Sequence, residues 1–348
     1  MSIKPINVRS IDRLLIRSTN WIGDAIMTIP AIRAVRKNFP DSDISILVKP
    51  WVAPVFENSP YVDHVLIYDD ADKHKGVMGK LRLARELKKY RFDASILLQN
   101  AFEAAMITFF AGISCRIGYN TDARSLLLTH PVLCTPLIKK MHQTQYYLNI
   151  LQEIGLKADG SDLDLVVGKK YQTRALDILD KHGISGKNSL VGINPSATFG
   201  PAKQWFAERY ARLADKIHEV FSARILIFGG PGDRELGRKI SEMMQHQPVD
   251  LSGRTELGEA MALIELCELF LTNDSGLMHV AAALDIPLIA IFGSTNPVTT
   301  GPLGQNSKIV RIPIECSPCL KPACPQGHLK CMTQIDVETV FEVVKEIL

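Results

Sequence analysis

Short apolar runs alternate with amphipathic segments along almost the whole chain. The runs typical of buried strands are Leu14–Ser18, Ile44–Lys49, Ala94–Leu98, Leu190–Asn194, Arg224–Phe228, Glu268–Thr272 and Pro287–Phe292. Segments with helical spacing lie between them, at Val77–Tyr90, Phe206–Val220, Asp233–Gln245 and Leu277–Leu284. Continuous apolar strands separated by helices indicate βαβ units and parallel sheets.

The alternation loosens at residues 157–170 and then starts again. A chain of 348 residues is also too long for one ordinary core. We therefore predict an α/β fold with two doubly wound, Rossmann-like domains, 1–165 and 166–348, facing a central cleft. Three acids in the segment between them, Asp159, Asp162 and Asp164, are expected to be solvated.

Charge and apolar content exclude some classes of protein. The net charge is only +3, which predicts no strong field for nucleic acid, although the first 165 residues carry +4 and favour an anionic partner there. The N-terminus has no apolar core of signal-peptide length, so we expect a protein that is not exported. The apolar stretch Ala104–Ile113 is far shorter than a membrane span and predicts a buried helix, with a membrane-touching patch as the alternative.

Ligands of doubly wound sheets bind at the carboxyl ends of the strands, so the loops there carry the candidate chemistry. After Glu268–Thr272 the sequence reads NDSGLMHVAAAL, in which Asp274 and Ser275 are helix-capping types and Gly276 lets a ligand approach the backbone. Free N–H groups of that helix turn would bind a phosphate, and His279 lies one turn further on. The alternative is simple capping with a packed histidine.

Two more loops in the second half favour a nucleoside diphosphate. PSATFGPAKQWF offers the hydroxyls of Ser196 and Thr198 and the cation of Lys203, although a solvated lysine is an alternative. GGPGDRE offers Asp233 or Glu235 as acceptors for ribose hydroxyls, with a capping role for Asp233 as the alternative. Neither G-x-G-x-x-G nor a Walker loop follows any strand, which argues against standard dinucleotide and P-loop sites.

In the first half, Gly23 and Asp24 separate the first strand from the first helix. Asp24 is either a helix cap or a catalytic base that takes a proton from an incoming hydroxyl. Pro30 would lie beyond the first turn of a helix begun at Asp24, so we expect the helix to begin at Pro30 and Asp24 to lie on a loop. Asn100 occupies the corresponding place after Ala94–Leu98.

A basic group later in the first half could hold an anionic acceptor. It comprises Arg124, Lys139, Lys140 and His142. The alternative is scattered surface charge.

Four of the seven cysteines fall within sixteen residues, at Cys316, Cys319, Cys324 and Cys331. Their spacing, C-x2-C-x4-C-x6-C, could bind zinc tetrahedrally but is not a standard two-knuckle zinc pattern. Free or redox-labile thiols and disulfides remain alternatives. The single cysteines in apolar surroundings are expected to be inert.

Four patterns, NWIGDAIMTIPAIRAVR, NPSATFGPAKQWF, GGPGDRE and TNDSGLMHVAAAL, resemble those of the bacterial lipopolysaccharide heptosyltransferases of glycosyltransferase family 9. The tail CSPCLKPACPQGHLKCM resembles the type II enzymes of that family. The resemblance covers nearly the whole chain. It implies a GT-B fold with an acceptor-binding N-terminal domain and an ADP-heptose-binding C-terminal domain, whose last helix could pack back on the first domain.

The resemblance also implies roles for the candidate residues. Asp24 would be the general base of an inverting transfer, with Gly23, Asn100 and Arg124 at the acceptor. Lys203 would be catalytic and would bind the donor. The other residues implied in donor binding are Ser196, Thr198, Asp233, Glu235, Asp274, Ser275, Gly276 and His279. No cofactor or catalytic metal is expected.

The implied reaction adds the second inner-core heptose from ADP-heptose to heptosyl-Kdo-lipid A. The protein would be cytoplasmic, with peripheral contact at the cytoplasmic face of the inner membrane. A type I heptosyltransferase or another sugar-nucleotide GT-B transferase is the nearest alternative. A sugar-nucleotide epimerase and a non-catalytic two-lobed sugar-binding protein are more remote.

Overall fold

The computed structural model describes residues 10–185 and 188–348. The chain divides into two compact units, Met1–Val166 and Val167–Leu348. None of the described residues belongs to a helix long and apolar enough to span a membrane.

The strands β1–β12 are Arg13–Arg17, Asp43–Val48, His64–Ile67, Ala94–Leu97, Cys115–Tyr119, His130–Val132, Leu190–Asn194, Arg224–Ile227, Val249–Asp250, Leu269–Asn273, Leu288–Ile291 and Ser307–Val310. The helices α1–α13 are Ile22–Met27, Ile29–Asn38, Gly76–Lys88, Phe102–Phe110, Gln143–Glu153, Lys169–Lys181, Ala207–Phe221, Arg234–Met243, Leu257–Glu265, Gly276–Ala283, Pro297–Thr300, Lys330–Thr333 and Val337–Lys345. Short 3-10 turns add Pro50–Val55, Arg124–Leu126, Ile138–Lys140, Pro201–Lys203 and Pro231–Asp233.

Within the described ranges, each unit contains one parallel sheet of six strands. The first sheet has the order β3-β2-β1-β4-β5-β6, and the second has β12-β11-β10-β7-β8-β9. In each sheet, successive strands are therefore added outward on both sides of a central pair. The central pair is β1 and β4 in the first unit and β7 and β10 in the second. Such a reversal of strand order opens a crevice at the carboxyl ends of the central pair. The predicted fold class, two doubly wound α/β units, is confirmed.

The central strands are buried on both faces, which explains their unbroken apolar runs. Leu15 and Leu47 pack with Leu83 and Leu87 of α3 in the first unit. In the second unit the last helix, α13, packs against α7 and contributes to the same core as β7 and β10.

The sequence pattern missed five strands: β3, β5, β6, β9 and β12. All but β5 have four residues or fewer, and β12 is half-exposed at the edge of its sheet. An edge strand needs no continuous apolar run, so it leaves a weak signal.

The acids of the segment before the second unit are exposed, as expected, but two of them are also paired with a buried arginine. Arg33 of α2 is almost fully buried, and its guanidinium pairs with Asp159, at 3.2 Å between Nε and Oδ2, and with Asp164. The backbone oxygen of Asp162 accepts a further hydrogen bond from Arg33 at 2.8 Å. A buried arginine thus binds this segment to the first unit.

The prediction of a buried helix at Ala104–Ile113 was only partly right. Helix α4 covers most of that stretch and buries Ala105 and Ile107, but Phe102, Phe109 and Phe110 are about half-exposed. The helix thus carries aromatic side chains on its open face.

Candidate functional site

The loops that follow β7 and β10 are joined at the centre of the second sheet. Asn194, the last residue of β7, donates from Nδ2 to Ser275 Oγ at 2.8 Å. Asn273, the last residue of β10, donates from Nδ2 to the oxygen of Pro195 at 2.7 Å and accepts from the N–H of Trp205 at 3.0 Å. The two loops predicted to bind a diphosphate therefore form one structure.

Lys203 and Asp274 form an ion pair at this junction, with 2.7 Å between Nζ and Oδ2. Lys203 ends the turn Pro201–Lys203, and its side chain is 15% exposed against 6% for Asp274. The lysine is thus a positioned cation, and the alternative of a solvated lysine is wrong. Because Asp274 directly precedes the cap of α10, the cation lies beside a helix N-terminus, where an anion is favoured.

The start of α10 is open while the residues around it are buried. Ser275 is the N-cap and accepts from the N–H of Met278 at 3.3 Å. Ser275, Gly276 and Leu277 are half-buried, whereas His279 is only 3% exposed. This geometry leaves backbone N–H groups near Gly276 within reach of a ligand. A contact from His279 to the donor stays a prediction.

Ser196 and Asp233 connect the loops after β7 and β8. The Ser196 hydroxyl donates to Asp233 Oδ1 at 2.6 Å, and Asp233 Oδ2 accepts from the N–H of Gly230 at 2.7 Å. Asp233 is the N-cap of α8 but makes no side-chain cap to it. Its side chain instead caps the preceding turn, Pro231–Asp233, so the capping alternative holds for that turn and not for α8. Thr198 is exposed, so of the two hydroxyls only that of Ser196 is fixed by the fold.

Glu235 lies away from this network on the open face of α8. Its Oε1 pairs with Arg238 Nη2 at 2.6 Å, and the Arg238 hydrogen bond holds the pKa of Glu235 below its ordinary value. Glu235 is 77% exposed and already has a partner on its own helix. The geometry therefore favours Asp233 over Glu235 as an acceptor near the sheet.

In the first unit, Asp24 lies within α1 and not on a loop, so that expectation was wrong. Trp21 is the N-cap of α1, and no side chain caps the helix, which also excludes the capping role for Asp24. Pro30 causes no conflict because it stands in the first turn of a separate helix, α2. Asp24 is half-buried, and the Tyr147 hydroxyl of α5 donates to its Oδ1 at 3.3 Å.

Arg124 is fully buried, so it is not part of a scattered surface charge. It donates from Nη2 to Asn100 Oδ1 at 2.6 Å and from Nε to the oxygen of Tyr119 at 2.7 Å. Burial lowers the pKa of Arg124 to about 10. Asn100 in turn donates to the hydroxyl of Tyr146. The geometry therefore favours a positioning role for Arg124, which holds Asn100 in place, and argues against direct contact of Arg124 with an acceptor.

The other members of the predicted basic group are not gathered with Arg124 into one site. Lys139 and Lys140 are exposed on the surface. His142 is the N-cap of α5, where its Nδ1 accepts from the N–H of Thr144 at 3.2 Å.

A charged cluster at the carboxyl ends of β1 and β2 was missed from the sequence. Arg17 and Lys49 are each only 2% exposed, and Lys49 Nζ lies 3.7 Å from the centre of the Tyr68 ring. The Tyr68 hydroxyl donates to Glu103 Oε1 at 2.6 Å. A signal was present, since Arg17 and Lys49 each end an otherwise apolar strand segment. Lys49 is itself paired with Asp70, so the cluster combines two buried cations with the carboxylates of Asp70 and Glu103.

The four clustered cysteines lie outside both sheet centres, in the segment between β12 and the end of α12. All four are free thiols. Among the described residues, no group of three or more His, Cys, Asp or Glu side chains is already arranged to hold a metal ion.

Comparison with known proteins bears on both units. The model of glycosyltransferase family 9 (heptosyltransferase) matches residues 80–330. Lipooligosaccharide heptosyltransferase 2 of Campylobacter jejuni is 30% identical over 96% of this chain and 99% of its own length. Lipopolysaccharide heptosyltransferase 2 of Escherichia coli K12 is 27% identical over 97% of this chain and 98% of its own.

A solved structure leads to the same group. The structure of Escherichia coli ADP-heptose LPS heptosyltransferase II matches with a TM-score of 0.81 and 25% identity, over 96% of this chain and 98% of that one. This match confirms the predicted GT-B class of fold.

Proposed function

Because the chain belongs to glycosyltransferase family 9, the heptosyltransferases, we propose that it transfers L-glycero-D-manno-heptose from ADP-heptose to heptosyl-Kdo-lipid A. One observation carries the proposal beyond family membership. The Lys203–Asp274 pair and the open start of α10 meet at the reversal of strand order in the second sheet. A cation beside free helix N–H groups suits the diphosphate of a sugar nucleotide.

The donor would be held by the second unit. Lys203 and the N–H groups near Gly276 would bind the diphosphate, and Asp233, oriented by Ser196, would accept from the ribose hydroxyls. As the bond from the anomeric carbon to the phosphate oxygen breaks, negative charge grows on the departing ADP. Lys203 and the α10 N-terminus stabilise that charge without having to reorganise.

The acceptor would be activated by the first unit. Asp24 accepts the proton of the acceptor hydroxyl as its oxygen forms the new bond to the anomeric carbon, and ADP leaves from the opposite face with inversion. The hydrogen bond from Tyr147 orients the Asp24 carboxylate for this step.

The type II acceptor is favoured over the type I acceptor by the relatives that cover nearly the whole chain. Those of Escherichia coli and Campylobacter jejuni described above are both named heptosyltransferase 2. The proposed acceptor therefore already carries one heptose.

We also propose that the enzyme is cytoplasmic and meets its lipid acceptor at the inner membrane by peripheral contact. The half-exposed Phe102 and Phe110 of α4 support this, together with Leu126, which is 94% exposed on the turn that packs against α4. Exposed aromatic and aliphatic side chains of this kind insert into the interfacial region of a bilayer.

The test is a transfer assay with purified protein, ADP-heptose and two acceptors, Kdo-lipid A and heptosyl-Kdo-lipid A. We expect ADP release and a product one heptose heavier only with the second acceptor. Transfer only to Kdo-lipid A would replace type II by type I activity. The proposed reaction would be contradicted if ADP-heptose is not consumed with either acceptor. It would also be contradicted if free sugar isomers form from ADP-heptose when no acceptor is present.

A further inference from the structure

The four clustered cysteines surround one small cavity in the second unit. Cys316, Cys319, Cys324 and Cys331 all line it, and its volume is about 20 Å³. A cavity of this size accommodates a single water-sized occupant. The cysteines thus converge in space although 14 residues lie between the first and the last.

The cavity lies at the boundary between buried and open protein. Cys331 is almost buried at the start of α12, whereas Cys316, Cys319 and Cys324 are partly exposed. Ala202, Ser294 and Leu329 are among the other residues that line the cavity. Four thiols around one water-sized cavity form a donor set suited to a single thiophilic metal ion.

We propose that Cys316, Cys319, Cys324 and Cys331 bind one Zn²⁺ ion as a structural site. Four thiolates form the closed tetrahedral set that zinc prefers in such sites, with no position left open for a substrate. The side chains are not yet arranged around a metal, so binding turns the sulfurs into the cavity. Residues 313–329 have irregular backbone, which permits that adjustment.

The cysteine segment is attached to the loop that carries Lys203. The N–H of Ala202 donates to the oxygen of Pro322 at 3.0 Å. Gly200 approaches so closely that an added Cβ would lie 2.5 Å from the same oxygen. On the other side, Ser317 donates to the oxygen of Gly293 at 2.7 Å, just beyond β11. A metal ion that fixes this segment would also brace the turn holding Lys203.

The first experiment measures metal content. We expect zinc close to one equivalent per chain in the purified wild type and in the Cys115→Ser control, whose thiol lies in the other unit. We expect close to none in Cys316→Ser/Cys319→Ser. Zinc retained by the double variant would overturn the assignment of these ligands.

A second measurement does not depend on folding of the variants. Wild-type protein is stripped with a chelator and titrated with Co²⁺. We expect saturation at one equivalent, with the thiolate-to-cobalt charge-transfer band and the visible absorption of a tetrahedral site. Absence of stoichiometric binding and of both bands would overturn the proposal.

The effect on Lys203 rests on the proposed function, whereas the metal site does not. We expect stripped protein to bind ADP several-fold more weakly in calorimetry, and added Zn²⁺ to restore the affinity. Unchanged ADP affinity would overturn the bracing role. If the protein binds one equivalent of cobalt but does not transfer heptose, only the proposed function is refuted. If it transfers heptose normally but has no metal site, only this inference is refuted.

Discussion

Tyr147 and Asp24 are 123 residues apart in sequence, yet the hydroxyl of Tyr147 lies 3.3 Å from Asp24 Oδ1. Burial, and then the Asp24 charge, raise the pKa of Tyr147 well above its ordinary value. The tyrosine therefore stays protonated and donates to the carboxylate across the whole pH range of an assay. This contact gives Asp24 a fixed orientation that helix capping would not require.

Replacing Asp24 with asparagine should abolish the base and leave the fold intact. Asparagine has nearly the same size, and Asp24 caps no helix, so the melting temperature should stay within about 2 °C of wild type. Turnover in the ADP-release assay should fall by roughly 10²–10⁴-fold. The exposed Asp41→Asn is the matched control in the same unit. Near-normal turnover by Asp24→Asn would send the search for the base elsewhere.

Tyr147→Phe should lower kcat roughly tenfold with little change in KM, because a single long hydrogen bond to a charged group is lost. Removing a donor disfavours the ionised carboxylate. The acidic limb of the pH–rate profile should therefore move to higher pH, measured by ADP release at saturating substrates. An unshifted profile with reduced activity would indicate a packing role for Tyr147.

Lys203→Met should reduce turnover by roughly 10²–10³-fold, because charge on the departing diphosphate is no longer stabilised. It should also destabilise the fold by about 3 kcal/mol, since Asp274 is left buried and unpaired. The double variant Lys203→Met/Asp274→Asn has no unpaired buried charge. Its free energy of unfolding in urea should therefore approach that of wild type, while its turnover stays low. Recovery of turnover in the double variant would exclude a direct role for the lysine.

The ion pairs between Arg33 and the segment before the second unit should make the free energy of unfolding depend on pH in the acidic range. Partial burial opposes ionisation of Asp159, but hydrogen bonds from Lys37 and Arg33 outweigh it and hold the pKa of this carboxyl below its ordinary value of 3.8. A depressed carboxyl pKa stabilises the fold above 3.8, and that contribution is lost as the pH falls through the lower folded value.

Asp159→Asn should therefore cost roughly 1 kcal/mol at neutral pH and less at about pH 3, measured by urea unfolding at both values. Asp41→Asn again serves as the control. An equal cost at both pH values would mean that charge on Asp159 does not contribute.

Much of the architecture could be predicted because buried parallel strands impose long apolar runs. The run Leu190–Asn194 coincides with β7, residue for residue. The three residues of β6 form an edge and had no such constraint. The sequence pattern around Asp24 also gave a wrong prediction. Pro30 suggested a single helix that begins at the proline, whereas the chain forms two short helices, and Asp24 lies in the first of them.

The candidate loops could be predicted because capping residues and glycines follow strands directly. Their pairing could not, because it depends on which strands become neighbours. Ser196 meets Asp233 only because β7 lies next to β8 in the sheet. The burial of Arg124 likewise follows from tertiary packing, and nothing in its local sequence distinguishes it from a surface arginine.

Both units place their candidate residues at the same point of the same strand order. All proposed donor contacts come after residue 190, and all proposed acceptor contacts come before residue 150. The proposed specificities for donor and acceptor are therefore encoded by separate stretches of the sequence. The proposed division predicts that a chimaera joined near residue 166 with another member of the family would change its acceptor and keep its nucleotide donor.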